Sequence, residues 1–105
     1  MKYPQTNEIP TPLSDLLRVF LVRINEQVFK VLAGIEPDGW EHVSVSLPDR
    51  CPTWDEMCRV KDMFFEPEEQ CIQIHPRHSE YINLSEHCLH IWKPPAAIGE
   101  LLERG

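Results

Sequence analysis

Three segments of the chain alternate apolar and polar side chains with a period of two, at residues 42–47, 71–75 and 88–92. This period is typical of strands that bury one face, because successive side chains of a strand point to opposite sides of the sheet. If the three strands share a sheet, one of its faces is apolar. The side chains of that face are Val43, Val45, Leu47, Ile72, Ile74, Leu89 and Ile91.

The opposite face of the predicted sheet gathers chemically versatile side chains, among them Ser46, Cys71 and Cys88. The polar segment 76–87 is long for a connection within a compact domain, which suggests a functional role for it as well. Imidazole, indole, hydroxyl and amide groups are the usual components of a small-ligand or protein interface. The candidate binding residues are His42, Ser44, Gln73, His75, Arg77, Tyr81, Asn83, His90 and Trp92.

A helix is predicted over residues 53–65. Thr53 and Glu56 match a capping box, in which the hydroxyl accepts from a first-turn amide and the glutamate reaches back to the start of the helix. The helix is expected to end before Pro67, and its apolar stripe is expected to cover the apolar sheet face. Trp40 and Trp54 are expected to anchor the core or its boundary.

The segment 13–32 is compatible with two structures. Its apolar positions fit a helical stripe, yet residues 19–24 and 28–32 are dense in β-branched and aromatic side chains, which favours strands. A short helical turn followed by a hairpin is the preferred prediction, with residues 25–27 as its loop. A single long helix is the alternative.

These elements predict a single α+β domain over residues 13–95, with a mostly antiparallel sheet of about five strands and one main helix on one face. A chain of 105 residues is long enough for one modest core. Residues 1–12, with three prolines, predict an extended N-terminal arm, and residues 96–105 a short C-terminal tail that can form helical turns.

The charge balance narrows the classes of partner. Seventeen acidic and ten basic residues give a formal net charge of -7, so direct binding of nucleic acid is not expected. The acidity serves solubility or attracts a basic partner surface. No apolar stretch is long enough to span a bilayer, and no secretory leader is evident, so we expect a cytoplasmic protein, a monomer or small homo-oligomer, with no membrane association. Its four cysteines are then reduced thiols.

The histidines raise an enzymatic alternative. His42, His75 and His90 have the same phase on the predicted strands, so they are the residues that would hold zinc or another divalent metal ion if one were bound. No Cys-x-x-Cys pair supports a zinc site, and no cofactor is expected. Ser44 and Cys88 have the same phase but lie in no nucleophile elbow. The enzymatic alternative is a small metal- or histidine-dependent hydrolase that uses the polar sheet face.

Several strings of the chain resemble a family of small uncharacterised proteins common in bacteriophages and prophages. The likeness covers roughly residues 19–95. Its strings are GWEHVSVS (39–46), RCPTWDEM (50–57), VKDMFF (60–65), QIHP (73–76), YIN (81–83) and CLHIWKP (88–94). The resemblance implies a phage-type accessory protein in the cytoplasm of a bacterial host, and it assigns no catalytic residue. The expected function is a non-enzymatic binding module that blocks or sequesters a host component, either a protein or a small nucleotide-like ligand.

Overall fold

A computed structural model describes residues 1–4, 8–9, 17–76 and 87–95 of the protein. Within these ranges the chain forms one α-helix and one antiparallel sheet of six strands, which differ in length. The strands lie in the order β1-β2-β3-β4-β6-β5. The elements are β1 (Glu8–Ile9), β2 (Leu17–Ile24), β3 (Gln27–Ile35), β4 (Glu41–Ser46), α1 (Trp54–Phe64), β5 (Gln73–His75) and β6 (Cys88–Lys93). The predicted α+β class, with one helix on one sheet face, is confirmed.

Strands β2 and β3 form the predicted hairpin, so the long-helix alternative for this segment is wrong. Ile24 pairs with Gln27, which leaves a two-residue loop at Asn25 and Glu26. Both loop residues have positive φ angles, 49° and 69°, as the tight turns that match strand twist require. The segment forms strands although its apolar positions also fit a helix. Its residues are rich in β-branched side chains, and alternate residues pack against the core.

The loop conformation leads to a stability prediction. Asparagine tolerates the left-handed region, whereas glutamate carries a Cβ that clashes there. We expect Glu26→Gly to raise the free energy of unfolding by about 1 kcal/mol, because glycine adopts this φ without strain. Urea denaturation of the two proteins measures the difference. Gln27→Gly, one residue further into β3, is the matched control and is expected to destabilise the protein.

The core lies between α1 and one face of the sheet, here called the helix face. Val43, Val45 and Ile91 are fully buried on this face, as the alternating pattern predicts. Helix α1 contributes Met57, Val60 and Phe64, all at 0% exposure. Partly buried hydrophobic residues complete the cluster. They are Met1, Tyr3, Met63, Ile72, Ile74 and Leu89.

Helix α1 begins as predicted. Glu56 N–H donates to the Thr53 hydroxyl at 3.2 Å, and Thr53 N–H donates to the Glu56 carboxylate at 2.9 Å. Arg50 donates to both oxygens of the same carboxylate, at 2.8 and 2.9 Å, and this pairing holds the pKa of Glu56 down at about 2. The capping box and the ion pair therefore fix the helix start over the sheet.

Two details of the prediction are corrected. Trp54 is 67% exposed and does not anchor the core, because the buried stripe of α1 begins two residues later, at Glu56 and Met57. Trp40, by contrast, is half-buried with its ring edge-on to Trp92. The strand predicted over 71–75 begins only at Gln73, since Cys71 has a φ of 62° and lies before β5.

The described parts of the predicted N-terminal arm contact the body of the protein. The Tyr3 ring stacks on Phe20 with centroids 5.9 Å apart, and Lys2 N–H donates to the Phe64 carbonyl at 2.7 Å. Strand β1 pairs with β2. The tail at 96–105 lies outside the described residues. Within the part of the chain that the structure describes, no helix is long and apolar enough to cross a membrane.

Candidate functional site

The strand register brings the predicted polar side chains to one face, here called the second face. Paired residues of neighbouring antiparallel strands point to the same side of the sheet. His42 pairs with Trp92, and Ser44 pairs with His90. On the other side of β6, His75 also pairs with His90. The prediction that His42, His75 and His90 share one face is therefore confirmed.

Burial divides the candidate residues of this face. His42, Ser44, His90 and Trp92 are at most 3% exposed, so they are buried rather than available to a partner in solution. Gln73 is exposed and His75 is half-buried. Arg77, Tyr81 and Asn83 lie outside the described residues.

Four titratable side chains form a continuous row across the second face, here called the buried network: Glu36, His42, His90 and Cys88. The His42 Nε2 atom lies 2.7 Å from His90 Nδ1, a hydrogen-bond distance. His90 Nε2 lies 3.4 Å from Cys88 Sγ, and His42 Nδ1 lies 3.1 Å from Glu36 Oε1. All four residues are at most 4% exposed. The network thus leads from a carboxyl group through two imidazoles to a thiol.

Glu36 reaches the network because the chain turns immediately after β3. Glu36 N–H donates to the Trp40 carbonyl at 2.9 Å, and Gly39 N–H donates to the Glu36 carbonyl at 2.8 Å. Gly39 has a φ of 91°, and a Cβ there would lie 3.1 Å from Pro95. The turn requires glycine at this position. It places Glu36 beside His42, the second residue of β4.

His42 is neutral at neutral pH. Burial, with a smaller contribution from His90, lowers the pKa of the His42 imidazole from 6.5 to about 3. The contact with Glu36 is therefore between a neutral ring and a carboxyl group, and its geometry falls short of an aligned hydrogen bond. The His42 ring also stacks on Trp92, with centroids 4.0 Å apart and planes 3° from parallel. These contacts fix the orientation of the ring.

Cys88 is a protonated thiol at neutral pH. Burial raises its pKa and the charge interaction with Cys51 raises it further, while a hydrogen bond with the Ser44 hydroxyl acts in the opposite direction. The thiol lies at the β6 end of the network, and Ser46 is its partner across the strand pair. Cys88 therefore lies on the same face as the half-buried Ser46, its neighbour across the strand pair.

The arrangement does not suit a metal ion. No group of three or more histidine, cysteine, aspartate or glutamate side chains in the described ranges is placed to hold one. The 2.7 Å between His42 and His90 is a direct hydrogen-bond distance, whereas two nitrogens bound to one zinc ion at about 2.0–2.1 Å would lie further apart. The two imidazoles bond each other and leave no space for an ion between them.

An open apolar groove of about 350 Å³ lies beside the network on the second face. Leu21 and Val28 are 43% and 44% exposed, an unusual exposure for two apolar side chains on the same face of a hairpin. They are diagonal neighbours, since Leu21 pairs with Lys30 and Val28 with Arg23. Lys30 and Ser46 contribute the polar groups of the groove. Its lining is Leu21, Val28, Lys30, Ser46, Leu47, Pro48 and His87.

Sequence reasoning missed two parts of this arrangement. Glu36 is not among the candidate residues of the sequence, because it directly precedes Pro37 in the turn that follows β3. The groove was missed because Leu21 and Val28 are ordinary strand residues, and only the register shows that they lie beside Ser46. Alternate residues of β3 point to the second face, and continuing this alternation by one residue beyond Ile35 would have placed Glu36 there as well.

The fold and the site define the class: a small α+β protein with a buried Glu-His-His-Cys network beside an open apolar groove. The chain belongs to the family described as Domain of unknown function (DUF7694), whose model matches residues 34–96, more than half of the chain. This range contains the whole network, whereas Leu21, Val28 and Lys30 lie before it. Searches among curated proteins and among solved structures found no significant match.

Proposed function

We propose that the protein is a non-enzymatic binding module whose apolar groove holds a short segment of a partner protein. The observation that carries this proposal is the joint exposure of Leu21 and Val28 at one groove. Exposed apolar side chains that gather in a concave site lose contact with water when a partner covers them, which drives association. The buried His42, His90 and Trp92 do not line the groove, so they are not expected to contact the partner.

The groove favours a protein segment over a nucleotide-like ligand. Among the residues that the structure describes, the lining contains no aromatic side chain other than His87, so these walls offer little surface on which a base could stack. An apolar side chain of a partner, by contrast, needs only the space and the aliphatic walls.

Lys30 indicates a further property of the partner segment. It lines the groove and is exposed, and its ammonium group makes no ion pair with any residue in the described ranges. A carboxylate on the partner, next to the apolar side chain, would complement this charge. The segment we propose therefore combines a large apolar residue with an acidic one.

The resemblance of residues 19–95 to phage and prophage proteins supports a bacterial setting for this interaction. On that basis, the partner is a protein of the host cytoplasm, which the module blocks or sequesters. The protein would act as a monomer or small homo-oligomer in that compartment. This assignment depends on the resemblance of the sequence strings, whereas the binding surface depends on the groove.

A pair of variants in one strand tests the binding surface. Val28→Asp places a charge in the groove, whereas Ile35→Asp makes the same change at an exposed position of β3 that does not line it. Affinity capture from host lysate identifies the partner, and its affinity for each purified variant is then measured. We expect Val28→Asp to weaken binding by about 30-fold or more, as loss of a central contact does. Ile35→Asp is expected to bind as the unaltered protein does.

Three results would refute the proposal. In the first, the partner binds Val28→Asp and the unaltered protein with equal affinity. In the second, no protein is captured reproducibly. In the third, sedimentation shows that the protein associates with itself and that Val28→Asp abolishes this association, so that the groove is occupied by a second copy.

A further inference from the structure

The buried network goes beyond what a binding module requires. It joins the Glu36 carboxyl group to the Cys88 thiol through two imidazole rings, with heavy-atom separations of 3.1, 2.7 and 3.4 Å. A thiol beside an imidazole, itself oriented by further polar groups, is the arrangement in which a cysteine acts as a nucleophile. Two of the three contacts are at hydrogen-bond distance. The third brings Glu36 within 3.1 Å of His42 without aligned geometry, so a small rotation of the carboxyl group completes a path for a proton.

A count of protons shows how the network is filled. Four groups in a row have three gaps, and each gap is filled by one proton. With Glu36 ionised, two neutral imidazoles and one thiol supply three protons, one for each gap. Shifting all three toward Glu36 gives a second arrangement with a thiolate at Cys88 and a neutral Glu36 carboxyl group. Both arrangements supply one proton for every gap, and the gap between Glu36 and His42 closes when the carboxyl group turns toward the ring.

The two arrangements also carry the same net charge. One negative charge lies in the network in each case, on Glu36 in the first and on Cys88 in the second. Burial opposes the creation of a new charge, but here an existing charge only changes position. The burial that keeps the resting thiol protonated therefore does not prevent it from losing its proton along the row as a bond forms.

We propose that Cys88 is a nucleophilic thiol that accepts an acyl group from an activated ester or thioester. His90 acts as its general base, and His42 and Glu36 are positioning residues that pass the proton on. The inference is independent of the protein partner proposed above, because a single stoichiometric acylation needs no bound protein and no turnover.

The step is a nucleophilic acyl substitution. The Cys88 Sγ atom forms a bond to the acyl carbon, and the bond from that carbon to the leaving oxygen or sulfur breaks. The thiol proton passes to His90 Nε2, the Nδ1 proton of His90 to His42 Nε2, and the Nδ1 proton of His42 to Glu36. The leaving group departs with the electron pair of the broken bond. The proton returns along the same row, and the products are a thioester at Cys88 and an alcohol or thiol.

The apolar groove lies where the acyl group would be expected. Ser46 lines the groove and is paired with Cys88 across the neighbouring strands, so their side chains lie about 5 Å apart on the same face. Val28 and Leu21 also line the groove, on strands two and three places away from β6. Cys88 itself is buried and does not line the groove, so an acyl group held there would approach the thiol from the Ser46 end.

The test uses p-nitrophenyl acetate and peptide mapping, which report acetylation of each cysteine separately. Exposed Cys51 is the internal reference. An ordinary exposed thiol reacts about tenfold faster for each pH unit between 6 and 8, because only the thiolate attacks. At Cys88 the network removes the proton during attack, so its rate is expected to change by about threefold or less over this range.

Two matched carboxyl variants complete the test. Glu36→Gln keeps the shape of the side chain but cannot accept a proton, and it is expected to lower acetylation of Cys88 at pH 7 on the order of 100-fold. It is also expected to restore the tenfold dependence per pH unit. Glu56→Gln makes the same change at a buried carboxyl group outside the network and is expected to leave the Cys88 rate unchanged.

The inference is overturned if Cys51 is acetylated and Cys88 is not in the unaltered folded protein. It is also overturned if the Cys88 rate rises tenfold per pH unit and does not respond to Glu36→Gln. The pH profile of the unaltered protein decides the question even if Glu36→Gln does not fold. Failure of this test leaves the groove variant Val28→Asp free to succeed, so the two proposals are distinguished.

Discussion

Replacing Phe64 with alanine is expected to lower the free energy of unfolding by about 3–5 kcal/mol. Phe64 is fully buried on α1, and its ring meets that of Phe20 edge-on at 5.2 Å and 82°. Its carbonyl accepts the Lys2 N–H, so the N-terminal residues contact the helix at the same point. Truncation removes the apolar contacts and leaves a cavity between the helix and the sheet, because a packed core closes only partly.

Trp54→Ala is the matched control for this prediction. It removes an even larger aromatic side chain from the same helix, but Trp54 is 67% exposed, so the change is expected to be about 0.5 kcal/mol or less. Urea denaturation at neutral pH measures both variants. Equal losses at the two positions would contradict the assignment of the core to the Phe64 side of α1.

Most of the fold could be predicted from the sequence because local signals and tertiary packing agree. The capping box at Thr53 sets the start of α1, and the alternation in β4 and β6 gives the face that the helix covers. The hairpin of β2 and β3 was one of two alternatives, since a helical stripe and a strand pattern coincide in the same residues. Packing of Phe20 and Val22 in the core decided in favour of strands.

The candidate site was less predictable, and the reason is physical. Alternation shows which face a side chain occupies, but it does not show whether that face is covered. His42 and Trp92 have the polar phase of an exposed strand, yet they are buried against each other at 4.0 Å. Glu36 joins them only through the turn at Gly39, and the groove depends on the pairing of β3 with β4. Neither the position of Glu36 nor the groove can be predicted from the pattern of a single segment of the sequence.

The buried network leads to the second large prediction. His42→Phe keeps an aromatic ring against Trp92 but removes both ring nitrogens. Glu36 and His90 then each lose a polar neighbour inside the protein, which costs about 1–3 kcal/mol for each group. We expect the free energy of unfolding at pH 7 to fall by about 2–4 kcal/mol. Thermal or urea denaturation measures the loss.

The pH dependence of this loss has a definite sign. The pKa of His42 is about 3 in the folded protein and about 6.5 when the chain unfolds. Between these values the unfolded state takes up a proton that the folded state does not, so the stability present above pH 6.5 falls as the pH approaches 3. His42→Phe removes this dependence. Its cost is therefore expected to shrink on acidification, and a constant cost from pH 7 to 4 would contradict the low pKa.

A double-mutant cycle with His90 separates the hydrogen bond between the rings from the rest of the network. His90→Phe alone leaves a ring nitrogen of His42 without its partner, and His42→Phe alone does the same to His90. The double variant leaves neither, so its cost is expected to be about 1–3 kcal/mol less than the sum of the two single costs. Costs that add to within about 0.5 kcal/mol would mean that the 2.7 Å contact carries no stabilising energy. A strong coupling, by contrast, shows that the two imidazoles act as one unit, as a proton path between Glu36 and Cys88 requires.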